Sequence, residues 1–225
     1  MSKNIIITGA GGNLGKAVVD KFKREGYRII ALVEPNKNRT VEGADFQYEV
    51  NVTSEDSVAD FIGQYQSQHG SLDALALLVG GFAMGGIEEV TQDDFEKMIT
   101  LNFFSAFHLA KGFLKLFNEQ GKGTFLFVGA RPALVTADGA GVMPYAFSKK
   151  LVIALAETIG QQTKGTAIRS HIFVPSIIDT PPNRQAMADA DFEKWVKPSE
   201  IADTMHFAVE NSALRSTTFK LYGQS

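Results

Sequence analysis

Tyr145 and Lys149 stand four residues apart in the stretch Met143-Pro144-Tyr145-Ala146-Phe147-Ser148-Lys149-Lys150. An apolar, alanine-rich run with helical periodicity follows at 151–159. Pro144 suits the first turn of a helix, because its missing N–H costs nothing there. The phenol and the ammonium therefore lie one turn apart on a single face. A free phenol has a pKa near ~10, and an adjacent fixed cation favours the phenolate. Tyr145 is thus expected to be tuned toward giving and taking protons near neutral pH. The same spacing also occurs on helices with no chemistry, so the surrounding elements have to supply the meaning.

The chain opens with a β-branched run, Asn4 to Thr8, that ends in the glycine cluster Gly9-Ala10-Gly11-Gly12-Asn13-Leu14-Gly15. An amphipathic segment at 16–25 follows and is closed by Gly26. Strand, glycine turn and helix in that order form the start of a dinucleotide-binding βαβ unit. Its glycines let the backbone approach a pyrophosphate whose charge rests on the helix N-terminus. Gly9, Gly12, Asn13, Leu14 and Gly15 are the residues expected to do so. A second strand at 28–33 carries Glu34 at its end, about 20 residues past the glycines, where a carboxylate can accept hydrogen bonds from ribose hydroxyls. The same charge would oppose a 2′-phosphate, so NADH is expected over NADPH. Lys37 and Arg39 stand close enough to pair with such a phosphate and keep NADPH open. Only about ten residues separate this strand from the next, at 46–50, so the crossover helix is short or absent. Asn51 and Val52 follow as a wall for the adenine.

A helix is expected at 54–69, and a wholly apolar strand at 73–79, of the kind buried on both faces of a parallel sheet. It ends in Gly80-Gly81-Phe82, where glycines would let the sheet edge approach a cofactor. One long helix over 93–118 carries Asn102. A fifth strand at 124–128, a loop at 129–142, a sixth strand at 167–174 broken by Pro175, a helix opened by Pro198-Ser199-Glu200 and a strand near 217–222 complete the chain. The alternation predicts a Rossmann-type, doubly wound parallel sheet of about seven strands with helices on both faces, forming one domain over 1–225.

The 225 residues suit one such domain, and 44% apolar with 21% charged residues is ordinary for a soluble protein. A net charge of −3 argues against a nucleic-acid or anionic-membrane footprint. With no cysteine, disulfides and thiolate chemistry are excluded, which fits a cytoplasmic setting. No cleavable leader pattern is expected at the N-terminus, and no apolar run reaches the ~20 residues of a membrane span. The histidines His69, His108, His171 and His206 lack metal-ligand spacing and are read as structural, with no metal site expected.

The glycine turn, Asn102, Tyr145 with Lys149, and Pro175-Ser176-Ile177-Ile178-Asp179-Thr180 occur in an order and spacing that resembles the short-chain dehydrogenase/reductase family over nearly the whole chain. That resemblance implies an NAD(P)-dependent oxidoreductase. Tyr145 would protonate the substrate, Lys149 would hold the nicotinamide ribose and lower the phenol pKa, and Asn102 would support a proton-relay water. Gly80 and Gly81 would line the cofactor, and Pro175, Ile178 and Thr180 would meet the nicotinamide carboxamide. Relatives dimerise through helices corresponding to 95–118 and 144–163, which implies a homodimer or a tetramer.

The departures are informative. Gly129-Ala130-Arg131-Pro132-Ala133-Leu134 stands where the family usually carries a catalytic serine, and Leu78-Val79-Gly80-Gly81 replaces Asn-Asn-Ala-Gly. These features, with Asp179-Thr180-Pro181-Pro182-Asn183-Arg184, Met187, Ala190-Asp191-Phe192 and Trp195, resemble the dihydropteridine reductase branch. They imply reduction of a quinonoid dihydropterin or a similar planar substrate, with Phe82, Ala130, Met187 and Trp195 around it and residues 179–200 as its cover. Reduction of another carbonyl or imine, or NAD(P) sensing without turnover, are the competing readings.

Overall fold

Ile6 faces one apolar layer, while Ile5 and Ile7 on the same strand face another. This alternation follows from the two-residue side-chain period of a strand. Because both faces are covered, the strand is a continuous apolar run. The computed structural model describes residues 2–37 and 39–224; residues 1, 38 and 225 lie outside the described set.

The strands are β1 (Asn4–Thr8), β2 (Arg28–Val33), β3 (Phe46–Glu49), β4 (Ala74–Leu77), β5 (Lys122–Val128), β6 (Ala167–Pro175) and β7 (Thr218–Leu221). They form one seven-stranded sheet in the order β3-β2-β1-β4-β5-β6-β7, and each neighbouring pair is parallel. The helices are α1 (Asn13–Arg24), α2 (Glu55–His69), α3 (Gln92–Met98), α4 (Ser105–Gln120), α5 (Thr136–Gly139), α6 (Met143–Gln162), α7 (Pro181–Ala186) and α8 (Pro198–Glu210). Phe61 and Tyr65 of α2, Phe113 and Phe117 of α4, and Ala156 and Ile159 of α6 bury against one sheet face. Val18 and Phe22 of α1 and Ile201 and Met205 of α8 cover the other. Each such side chain withdrawn from water contributes about 1.5–3 kcal/mol.

The chain winds from β1 outward to β3, then crosses back to lay β4 on the other side of β1. The crevice at the carboxyl ends of β1 and β4 is therefore the topological switch point, the place where open α/β sheets bind ligands. No helix lies between β2 and β3 among the described residues. The connection is held instead by Gln47, whose amide donates to Arg39 O at 2.6 Å and accepts from Val41 N at 2.9 Å.

Two expectations are corrected. The helix expected over 93–118 runs without interruption but is not α throughout, because a six-residue π-helical segment, Ile99–Phe104, joins α3 to α4. A π segment adds a residue to a turn and recurs at functional sites; here it carries the buried Asn102 toward the end of β4. The loop expected at 129–142 contains a 3₁₀ turn, Arg131–Ala133, and α5. Thr163 and Ser170 in the interior find partners, whereas Asn4 Oδ1 and both ring nitrogens of His171 do not.

His171 lies fully buried in β6, and neither ring nitrogen has a hydrogen-bond partner among the described residues. Burial, reinforced by the charge of Arg169, pushes its pKa down to about 4. The unfolded chain, with a histidine pKa near ~6.5, binds this proton more readily than the native state. This group's contribution to stability is therefore complete above pH ~6.5 and is lost as the pH falls toward about 4, a loss on the order of 3 kcal/mol. Urea midpoints measured across that window should drop with acid in the wild type and drop less in His171→Leu. Equal slopes would show that this ring does not set the acid sensitivity.

Candidate functional site

Gly9 adopts φ +61°, and Gly12 N donates to Gly9 O at 2.9 Å to close the turn after β1. At Gly15 a methyl group would overlap Gly9 O and come within 2.7 Å of Ala10 Cα, so the helix packs on the turn only without a side chain. Gly12 is the N-cap of α1 with no side-chain cap, and the first turn, holding Asn13 and Leu14, carries no acidic residue. Its open N–H groups and positive dipole end suit a pyrophosphate. Thr8 Oγ1 accepts from Leu78 N at 2.8 Å and Val79 N at 3.3 Å, which fastens the end of β4 beside this turn.

The glycines after β4 are fixed by what packs on them. A methyl at Gly80 would lie 2.6 Å from Asn102 Oδ1 and 3.0 Å from Lys149 Nζ, and one at Gly81 would lie 2.5 Å from Leu101 Cδ2. Asn102 is 1% exposed. Its Oδ1 accepts from Gly81 N at 2.8 Å, and its Nδ2 donates to Gly81 O at 3.2 Å and to Ser148 Oγ at 2.8 Å. Asn102, Lys149, Gly80 and Gly81 thus converge at the carboxyl edge of β4. Sequence reasoning overlooked Ser148 and Thr8, whose only signal was a hydroxyl standing in an apolar element.

Tyr145 enters the same region from the first turn of α6, where Pro144 is an early residue as expected. Its ring meets Phe82 edge-on, with centroids 5.0 Å apart, and Phe82 is otherwise exposed. Burial pushes the Tyr145 pKa up to about 12 and brings that of Lys149 down to about 8. The expected lowering of the phenol by the neighbouring cation is corrected accordingly, since desolvation dominates both groups. Lys149 Nζ donates to Val128 O at 3.0 Å. The arrangement holds a protonated phenol at neutral pH beside an amine only modestly above neutrality, a pair able to give a proton at a dry surface.

Ala130 is buried and extended just after β5, and no hydroxyl stands there. Pro175 is buried at the end of β6. Ile178 pairs with Val196 as an isolated bridge, and Thr180 Oγ1 accepts from Asn183 N at 3.4 Å to cap α7. Asp179 accepts from Arg184 at 2.6 and 2.8 Å, which holds its carboxyl below the usual range and braces α7. Met187 is partly exposed beyond α7. Trp195, expected over the site, is instead buried and packs on Phe192 with centroids 4.8 Å apart, so it anchors the segment rather than closing it.

At the far side of the crevice, Glu34 is exposed just after β2, with Lys37 Nζ 3.9 Å from its carboxylate. Arg39 lies along the glycine turn, where a methyl at Gly11 would lie 3.4 Å from its Cδ. Asn51 Oδ1 accepts from Thr53 N at 3.2 Å and Oγ1 at 2.7 Å, and Val52 is buried. Among the described residues no cluster of His, Cys, Asp or Glu could hold a metal, and no helix is long and apolar enough to cross a membrane.

With the crevice, its glycines and its tyrosine–lysine helix in place, comparison with known proteins is decisive. The short chain dehydrogenase family profile matches residues 3–191. The chain belongs to this family. It is accordingly an NAD(P)-dependent oxidoreductase, and its glycine cradle, open helix N-terminus and buried lysine fit that cofactor. The chain is 30% identical to the dihydropteridine reductase of Dictyostelium discoideum, over 98% of this chain and 94% of that one. In fold it is similar to the ligand-free aldohexose dehydrogenase of Thermoplasma acidophilum, with TM-score 0.85 and 24% identity over 99% of this chain and 94% of that one. It also matches a variant of the actinorhodin polyketide ketoreductase crystallised with NADPH, with TM-score 0.88 and 19% identity over 99% and 96% of the two chains.

The steric reading of the glycines gives a contrast. Gly15→Ala must displace backbone atoms of the turn, so NADH affinity, read by fluorescence titration, should fall at least about tenfold. Gly63→Ala, in α2 with nothing within 4 Å of the added methyl, should instead raise stability by about 0.5–1 kcal/mol. Unchanged NADH binding in Gly15→Ala would remove the turn from the cofactor site.

Proposed function

We propose that this oxidoreductase reduces a quinonoid dihydropterin, or a similarly flat, electron-poor ring, with NADH as reductant and Tyr145 as proton donor. The observation that carries the reading is the pairing of a half-buried, protonated phenol with an exposed aromatic ring, Phe82, at an edge where Ala130 stands in place of a hydroxyl. The likeness to the dihydropteridine reductase of Dictyostelium discoideum supports it.

The nicotinamide, when bound, supplies a hydride. A quinonoid dihydropterin is already polarised and regains aromatic character on accepting hydride, so it needs a proton more than it needs an oxyanion clamp. Tyr145 gives that proton, the phenolate is refilled from solvent, and Lys149 steadies the transient charge and holds the nicotinamide ribose. Asn102 fixes the edge on which the proton relay depends. Gly9, Gly12, Asn13, Leu14 and Gly15 hold the pyrophosphate; Asn51 and Val52 flank the adenine. Gly80, Gly81, Pro175, Ile178 and Thr180 surround the nicotinamide. Phe82 stacks on the substrate, where an offset pair contributes about 0.5–1.5 kcal/mol beyond the area it buries. Residues 179–200 cover it, with Met187 facing the ring and Trp195 anchoring the cover. The exposed faces of the π segment with α4 and of α6, which carry Phe104, Phe147 and Leu151, form the interface of a homodimer that works in the cytoplasm.

A ketone substrate would require a donor to its oxygen, and losing one such donor costs about 10²–10³ in rate. Quinonoid dihydropterin generated in situ should therefore oxidise NADH readily, while cyclohexanone should not. Tyr145→Phe should keep NADH affinity and lose about 10²–10⁴ in turnover. Good turnover of ketones but not pterins would overturn the substrate, and a wild-type rate in Tyr145→Phe would overturn the acid. Absence of NADH oxidation with any such substrate would favour a nucleotide-sensing role.

NADH is assigned as the preferred cofactor because Glu34 offers a carboxylate at the tip of β2. Arg39 lies against the glycine turn, where it can cover the adenine. The ratio of kcat/KM for NADH and NADPH should exceed one in the wild type and fall in Glu34→Ala. Higher kcat/KM with NADPH in the wild type would show that Arg39 and Lys37 set the preference.

A further inference from the structure

We infer that Ser148 is a positioning residue that sets the distance between the proton donor and the cofactor edge of the sheet; the inference rests on Tyr145 being that donor. Ser148 is fully buried on α6, between Tyr145 and Lys149. Its hydroxyl has one hydrogen to give and lone pairs to accept with. The hydrogen goes to Tyr145 O at 2.8 Å, one turn back in the same helix. A lone pair receives Asn102 Nδ2 at 2.8 Å, from the π-helical segment.

Asn102 is already oriented by Gly81, which meets both ends of its amide. What Ser148 adds is the tie from that amide to α6. The tie runs from the end of β4 through Gly81 and Asn102 to Ser148, and ends at the backbone of Tyr145. It spans two elements that no other side-chain hydrogen bond joins among the described residues. Around it the packing leaves no slack, since Gly80 has no room for a methyl between Asn102 Oδ1 and Lys149 Nζ. Without the hydroxyl, the second donor hydrogen of a buried amide loses its partner, and α6 is free to shift against the π segment. A misplacement of about 1 Å between acid and substrate can cost ~10²-fold in rate, whereas cofactor contacts made by the glycine turn are untouched.

The test compares Ser148→Thr with Ser148→Val, which have the same volume and differ in the hydroxyl. Turnover is read with NADH and quinonoid dihydropterin, NADH affinity by fluorescence, and Asn102 side-chain amide exchange by NMR on asparagine-labelled protein. Ser148→Val should lose at least about tenfold in kcat, with NADH affinity within about twofold and faster exchange of the Asn102 amide. Ser148→Thr should retain most of the rate. In an Asn102→Ala background the valine variant should lose nothing further, because both changes cut one tie. Equal rates for the two variants, or losses that multiply in the double variant, would overturn the inference. If the pterin is not turned over by the wild type, the substrate assignment fails alone, and unchanged Asn102 exchange in Ser148→Val would still sink the tie.

Discussion

A single buried carboxamide ties the end of β4 to α6. Asn102 meets the backbone of Gly81 through both its oxygen and its nitrogen, and reaches Ser148 with the remaining donor hydrogen. A buried amide left short of partners costs about 1–3 kcal/mol, so the surrounding elements are arranged to serve it. The helix that carries it widens to a π turn at Ile99–Phe104. The strand it serves ends in glycines that admit it, and α6 presents a serine among apolar neighbours. Through this one group the end of β4 is hydrogen-bonded to the helix that carries the lysine and the tyrosine.

The alternation of apolar strands and amphipathic helices made the parallel sheet legible in the sequence, because a strand buried on both faces leaves a pattern that few other elements produce. The absence of a helix between β2 and β3 was equally readable, since the intervening length is too short for one. The π segment in the long helix was not. It brings Asn102 to Gly81, 21 residues away, whose N–H donates to the Asn102 oxygen, and no local propensity at 99–104 reveals that partner. The same holds for Trp195. An aromatic residue in an irregular, polar segment looks like a lid, but its ring is buried against Phe192, and the end of the chain is fastened at the neighbouring residue, where Gln224 N donates to Lys194 O at 3.1 Å. Ser148 and Thr8 escaped notice for a related reason, as a lone hydroxyl acquires meaning only from what faces it.

The electrostatics of the acid show where spacing alone misleads. Four residues of separation on a helix brings a phenol and an ammonium together, and in water their attraction would set both pKa values. Inside the protein each group has also lost its hydration. The penalty on the phenolate raises Tyr145, and the penalty on the ammonium lowers Lys149. The two shifts move the phenol and the amine apart in proton affinity, and they keep the phenol protonated rather than fixing it as an anion. A phenol kept protonated is suited to donation, and an amine near neutrality can take up the charge that donation creates.

This balance bears on which substrates the site can serve. A phenol held well above neutral pH is a weak acid, and it transfers its proton efficiently only to an atom whose basicity rises sharply as hydride arrives. A simple ketone becomes such a base, but it must first be polarised to accept the hydride, and Ala130 offers no hydroxyl for that. A quinonoid ring, the proposed substrate, carries its own driving force for hydride uptake, and the charge it gains falls on ring nitrogen. The surface proposed to receive it is aromatic, since Phe82 is exposed and its ring meets that of Tyr145 edge-on with centroids 5.0 Å apart. Exposed aromatic surface of this kind suits a flat partner better than a branched one, through contact area and through the quadrupoles of the rings. On the proposed function, the absent hydroxyl, the desolvated phenol and the aromatic wall act in one direction, toward planar conjugated acceptors and away from isolated carbonyls.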